Sequence, residues 1–186
     1  EMIEHFSFDS VNTSAAVFDP DKLSWLNEHY IKNTPPEELV PHLEPCLIST
    51  GILQEGHDLG VAEIAKVIPS LNQRAKTLVE MAEKSAFYFK KEVEFDEKAK
   101  AKFLTAEAKP LLEKTIAGLS QLENFSAEEI EELFKKVVEE EGVKLGKLAQ
   151  PVRVALTGTT VSPGIYDVIL LLGKEETLAR LNNALP

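Results

Sequence analysis

Cysteine is almost missing from this chain: Cys46 is the single one in 186 residues. An internal disulfide framework and a Cys-rich zinc site are therefore excluded, and a reducing, cytoplasmic compartment is expected. Long apolar runs are missing too. The longest, Val168–Leu172, falls far short of the ~20 residues that a membrane helix needs, so no membrane partner is expected. The N-terminus has no basic-then-apolar signal pattern. It opens on Glu1 rather than Met, which reads as a piece cut from something longer. The four histidines, His5, His29, His42 and His57, are scattered without ligand spacing, so no metal site is expected. Positive charge is in deficit, with 20 basic against 31 acidic residues and a net charge of −11. That balance argues against a non-specific nucleic-acid binder, and no DNA partner is expected, although one local basic face remains compatible with it.

Reaction chemistry is absent as well, and no catalytic residue is assigned. Gly56–Gly60 and Gly142–Gly146 lack the strand-then-helix context of a phosphate loop, and no GxSxG, HExxH or EF-hand pattern occurs. The acidic run Glu128–Glu132 reads as a solvated helix face. Cys46 lies in a proline-bounded segment and reads as a structural thiol.

What is present is helical. Asp19-Pro20 is a cap followed by proline at a first helical position, opening a helix over 21–32. Thr34 is read as the cap of the next helix, which Pro41 and Pro45 should break into short pieces. A short helix is expected over 61–67. The spacing of Leu71, Ala75, Leu78, Met81, Ala82 and Ser85 predicts one long helix over about 70–91. Polar and amphipathic helices follow over 96–104 and 107–122, and Ser126-Ala-Glu-Glu129 is a capping box for the next. Beyond Gly142 the balance reverses, with five basic residues against three acidic ones. Here Pro151 is read as a helix start and Gly158 as its stop, Ser162-Pro163-Gly164 as the start of a helix over 165–172, and Gly173 as its end before a last helix over 174–184. The fold class is all-α: two small helical subdomains over 36–97 and 98–186, preceded by a leading segment over 1–35.

Two segments carry a family resemblance. One is Phe18-Asp-Pro-Asp-Lys-Leu-Ser-Trp-Leu-Asn-Glu-His-Tyr-Ile-Lys32. The other is Lys144-Leu-Gly-Lys-Leu-Ala-Gln-Pro-Val-Arg-Val-Ala-Leu-Thr-Gly158, followed by Ser162-Pro-Gly-Ile-Tyr166 and Leu172-Gly-Lys-Glu175. With Gln73-Arg-Ala-Lys-Thr-Leu78 and Phe87-Tyr-Phe89 between them, they resemble the C-terminal half of bacterial-type glutamyl-tRNA synthetase across nearly the whole chain. The HIGH-type and KMSKS-type motifs of that family's catalytic half are missing. The resemblance therefore implies a fragment holding the end of a stem-contact region (1–35) and an anticodon-binding helical cage. Such a fragment is expected to be inactive alone and to need no cofactor, while the full-length class I ligase joins glutamate to tRNA-Glu with ATP and Mg²⁺.

The same resemblance assigns site residues. Arg74 matches the arginine with which discriminating members read the anticodon and reject tRNA-Gln. Ser162, Pro163 and Ile165 match a turn whose main chain meets anticodon bases, Arg153 could reach a base or its phosphate, and Lys144 and Lys147 are phosphate candidates. Lys32 is a candidate for the tRNA stem, and Trp25 and Tyr30 are read as packing residues. The implied partner is the anticodon loop and stem of tRNA-Glu, bound by a monomer. A non-catalytic protein-interaction domain, suggested by the acidic helix over 126–141, is the alternative. The two differ in whether Arg74, Arg153, Lys144 and Lys147 share one concave face with the Ser162 turn.

Overall fold

The structure, a computed structural model, describes residues 2–8 and 17–186. The 1–35 segment of the sequence reading thus lies partly outside the described residues. Eleven helices and no strand occur among them: α1 (Met2–His5), α2 (Pro20–Asn33), α3 (Pro36–Ser49), α4 (Val61–Ala65), α5 (Ile68–Leu71), α6 (Leu78–Phe89), α7 (Glu97–Phe103), α8 (Lys109–Gln121), α9 (Ala127–Glu141), α10 (Leu145–Thr157) and α11 (Ile165–Asn183). The all-α expectation holds. No described helix is long and apolar enough to cross a membrane.

Local signals account for most of the ends. Asp19 accepts from the Asp21 and Lys22 amides at 3.0 and 3.1 Å, and Pro20 opens α2. Asp96 caps α7 through the Ala99 amide at 2.8 Å. Ser126 caps α9 through the Glu129 amide at 3.2 Å, but Glu129 turns to Asn124 at 3.3 Å, so only half of the capping box forms. Gly173, at φ 77° and ψ 168°, breaks α11 where the sequence placed an end.

Four expectations are corrected. Thr34 does not cap α3; its amide closes α2, and Pro35 leads into α3. Pro41 and Pro45 do not divide α3. Both are exposed, so the carbonyls they leave without a donor face water, while Leu39, Val40, Leu43 and Leu47 are buried opposite. Burying four such side chains at about 1.5–3 kcal/mol each offsets about 3 kcal/mol per interior proline. The 70–91 helix is two helices with a turn between them, because Thr77 accepts from the Glu80 amide at 3.1 Å and restarts the chain as α6. Ala75 in that turn is as buried as the helical residues around it, so the apolar stripe runs on through the break. Finally, α10 begins at Leu145, and Pro151 is a buried interior residue rather than a start.

Two apolar cores organise these helices. Leu39, Leu43, Leu47, Ile64, Ile68 and Met81 belong to the first, which Ile31 of α2 joins. Leu112, Leu119, Ile130, Phe134, Leu148 and Leu181 belong to the second. The Phe87-Tyr88-Phe89 run at the end of α6 is shared: Phe87 packs on the second core, Tyr88 and Phe89 on the first. Trp25 and Tyr30, expected to pack, are instead 62% and 60% exposed, with Trp25 stacked on His29 at 5.8 Å.

Gly158 ties the end of α10 to the segment that opens α7. It caps α10 at φ 77°, its carbonyl accepts from the Asp96 amide at 2.9 Å, and a Cβ built on it would overlap the Glu94 carbonyl. Gly158→Ala should therefore cost more than about 2 kcal/mol, combining left-handed strain with a backbone clash that no side chain can relieve. Urea unfolding is the measurement, and a midpoint equal to the unsubstituted chain would overturn this account.

Candidate RNA-binding site

The junction between the cores opens into a cavity of about 690 Å³, inside the ~300–1,000 Å³ range of ligand pockets. Its walls come from sequence-distant places: Leu71 at the end of α5 and Arg74 just after it, Lys84 and Phe87 on α6, the 90–94 linker, and the turn over 157–163. Among the residues assigned from sequence, the structure brings Arg74, Ser162 and Pro163 to this one cavity.

Arg74 sits on the turn between α5 and α6, not on a helix, and its side chain is exposed. Its amide donates to Leu71 O at 2.8 Å. It makes no ion pair among the described residues. Glu80, the acid nearest in sequence that could have neutralised it, is held by Lys84 at 2.5 Å. The Arg74 guanidinium therefore faces the opening with its donors unspent.

The Ser162-Pro163 wall is held by Arg153, which does not itself line the cavity. From half-buried α10 its Nη1 donates to Pro163 O at 2.8 Å, to Ser162 O at 3.3 Å and to Ser162 Oγ. Ser162 Oγ in turn donates to Pro163 O at 2.9 Å. Burial, and then the like charge of Arg74, hold the Arg153 guanidinium below its usual range. Its Nε is buried without a partner. Arg153 thus supports the Ser162-Pro163 turn from behind, rather than reaching out as an independent cation. Ile165 is 7% exposed with its side chain in the second core, so only its main chain is available at the start of α11.

Lys144 and Lys147 are not brought to the cavity. Both are exposed at the opposite end of α10, about 15–20 Å along the axis from Thr157 at 1.5 Å per residue. Lys32 is paired with Glu28 at 2.6 Å on α2. In their place Lys84 and Lys90 line the cavity, balanced by Glu83, Glu92 and Glu94, with Lys90 paired to Glu94 at 2.7 Å. The local field is thus near neutral within a strongly acidic chain, with Arg74 as its unpaired cation.

The residue that sequence reasoning missed is Arg180, counted there only among the basic residues of the last segment. It is 5% exposed. Nη1 donates to Phe87 O at 2.7 Å and Leu156 O at 2.9 Å, Nη2 to Lys90 O at 2.9 Å, and Nε to Glu176 at 2.6 Å. A signal existed: Thr177, Arg180, Leu181 and Ala184 are all buried at i, i+3, i+4 and i+7, so an arginine stands on a core-facing stripe. No cluster of three His, Cys, Asp or Glu able to hold a metal occurs among the described residues.

Comparison with known proteins agrees with this picture. Residues 37–185 match the anticodon binding domain family. The chain is 48% identical over 185 residues to the glutamate–tRNA ligase of Syntrophobacter fumaroxidans, covering 100% of this chain and 39% of that protein. It is 46% identical over 185 residues to the glutamate–tRNA ligase of Geotalea uraniireducens, again covering 100% and 39%. A solved glutamate tRNA ligase from Elizabethkingia meningosepticum, in complex with its amino acid, superposes with a TM-score of 0.81 at 28% identity, covering 98% of this chain and 35% of that one. This chain spans 39% of the length of the curated relatives named here.

Proposed function

The chain belongs to the anticodon-binding domain family, and from that premise we propose that it reads the anticodon loop of tRNA-Glu as the C-terminal part of a glutamate–tRNA ligase. The observation that carries the reading is the convergence of Arg74 with the Ser162-Pro163 turn on one cavity. Anticodon bases are single-stranded and can be splayed out, which exposes their Watson–Crick edges and both faces. Arg74 offers a base edge a planar fork of donors that no carboxylate occupies. Leu71, Phe87, Val93 and Val161 supply apolar walls for the base faces.

The remaining assignments follow from position. Ser162, Pro163 and the Ile165 main chain form a turn that Arg153 holds rigid, which suits a reading edge better than a mobile loop does. Lys144 and Lys147 would meet phosphates farther along the loop or stem, where they position without reading sequence. ATP, Mg²⁺ and the ligase reaction are assigned to the remainder of the longer protein, and this chain supplies binding energy that places the distant acceptor end. The full convergence of four cations does not form, since Lys144 and Lys147 lie off the cavity; the family match and the meeting of Arg74 with the Ser162 turn support the anticodon reading over the protein-interaction alternative.

The test is a titration of a labelled tRNA-Glu anticodon stem-loop with this chain. Binding is expected at ~50 mM salt and should weaken steeply by ~200 mM, because phosphate contacts release counterions. A stem-loop with each anticodon base substituted in turn should bind less tightly. Equal affinity for a scrambled anticodon, or no binding at ~50 mM salt, would overturn the proposal.

A further inference from the structure

Among the described residues Arg74 has no side-chain partner that fixes where it points, so its position is set by the backbone of the turn over 72–77. Three side chains from two other helices hold that backbone. Lys84 Nζ on α6 donates to the Arg74 carbonyl. Glu80, one turn earlier on α6, accepts from the Lys76 amide at 2.8 Å. Asn27 Nδ2 on α2 donates to the Lys76 carbonyl at 2.5 Å. Glu80 and Lys84 are themselves joined at 2.5 Å, so the two grips move as one unit. The pairing with Lys84, and then the Lys76 amide, hold the Glu80 carboxyl below its usual range and keep it ionised.

The base of the turn is anchored separately. Ala75 is 2% exposed in the first core. Below it, Ser70 Oγ meets the Tyr88 hydroxyl at 3.2 Å, and burial pushes that phenol up to about 12. These anchors fix the turn as a whole. They leave the direction of the Arg74–Lys76 peptide groups to Asn27, Glu80 and Lys84, whose exposed ion pair contributes little to folding. Asn27 and Glu80 stand off the cavity and Lys84 reaches its wall, yet all three converge on the Arg74 carbonyl and the Lys76 amide and carbonyl beside one exposed arginine, and so serve its orientation.

We propose that Asn27, Glu80 and Lys84 form a brace that aims Arg74 into the cavity and thereby sets anticodon discrimination. They are positioning residues, acting through Arg74. Asn27 lies four residues before Ile31, on the face of α2 that meets the first core, so α2 reaches the reading turn directly. The inference rests on the anticodon-binding reading above, and the experiment separates the two.

The measurement is the ratio of affinities for the tRNA-Glu anticodon stem-loop and for loops substituted at each anticodon base, with the 186-residue chain and its variants. Lys84→Met and Asn27→Ala should each reduce the ratio several-fold while melting within about 2 °C of the parent chain, the shift of a sub-kcal/mol change. In an Arg74→Ala background the same substitutions should change nothing further, because their effect runs through Arg74. Lys84→Gln, which keeps a donor for the Arg74 carbonyl, should restore part of the ratio. Unchanged ratios in Lys84→Met and Asn27→Ala, or losses that add to that of Arg74→Ala, would overturn the brace while leaving the anticodon reading intact. If Lys84→Met fails to fold, Lys84 is a stability residue and the brace is overturned for it, and Asn27→Ala decides the remainder. If the parent chain shows no discrimination that depends on Arg74, the functional reading itself fails.

Discussion

Arg180→Met is expected to destabilise the chain by about 3–5 kcal/mol, the cost of breaking a buried charged network by removing one partner. The reason lies in what the guanidinium holds. The last carbonyls of any helix have no intrahelical donor and carry the negative end of its dipole. Phe87 O and Lys90 O close α6 and Leu156 O lies at the end of α10, so one cation caps two helices that belong to different cores. Methionine fills much of the same space and removes every donor, leaving buried carbonyls unpaired at about 1–3 kcal/mol each. At about 2–4 °C per kcal/mol for a chain of this size, the melting temperature should fall by about 10 °C. Arg180→Lys should recover only part of this, since an ammonium cannot span three acceptors in a plane. Thermal unfolding followed by circular dichroism is the measurement. A melting temperature within about 2 °C of the parent chain would show that the junction is held by packing alone.

Arg74→Ala carries the second large effect, on recognition rather than stability. The side chain is exposed and unpaired, so the substitution should leave melting within the ±0.5 kcal/mol or so typical of surface changes. Binding to the tRNA-Glu stem-loop should weaken by about 1–3 kcal/mol, roughly fivefold to 150-fold, the worth of a bidentate contact from the guanidinium to a base edge. The loss should be smaller for loops already carrying a substitution at the base that Arg74 reads. A uniform loss across all loops would make Arg74 a phosphate contact, and no loss would remove it from the interface. Arg74→Lys separates the alternatives, because lysine preserves the charge and not the fork.

The two predictions differ in how far their grounds were visible beforehand. Arg74 stands out through a motif resemblance, and the spacing of Leu71, Ala75 and Leu78 predicts a continuous helix there, whereas a turn carries it. The periodicity misleads because Ala75 faces the same core from the turn as its neighbours do from helices. Pro151 misleads in the opposite direction. A proline that suits a first helical turn is tolerated inside α10, so the helix begins six residues earlier than its strongest local signal. Lys144 and Lys147, assigned with Arg153 by the resemblance, lie at the start of the helix whose far end reaches the cavity.

The chain by itself determined its helical class and several helix ends. Those properties depend on side chains within a turn or two of each other, as with Asp19 at Pro20, Ser126 at Glu129 and Gly158 at φ 77°. Tertiary structure alone decided that Arg74 meets the Ser162-Pro163 turn, that Arg153 supports that turn from behind, and that Arg180 caps helices 24 and 93 residues away. A guanidinium has the same local pattern in sequence whether it faces water, a partner or the ends of two helices. Which of these it meets depends on how the cores dock, and residue spacing within one segment carries no record of that.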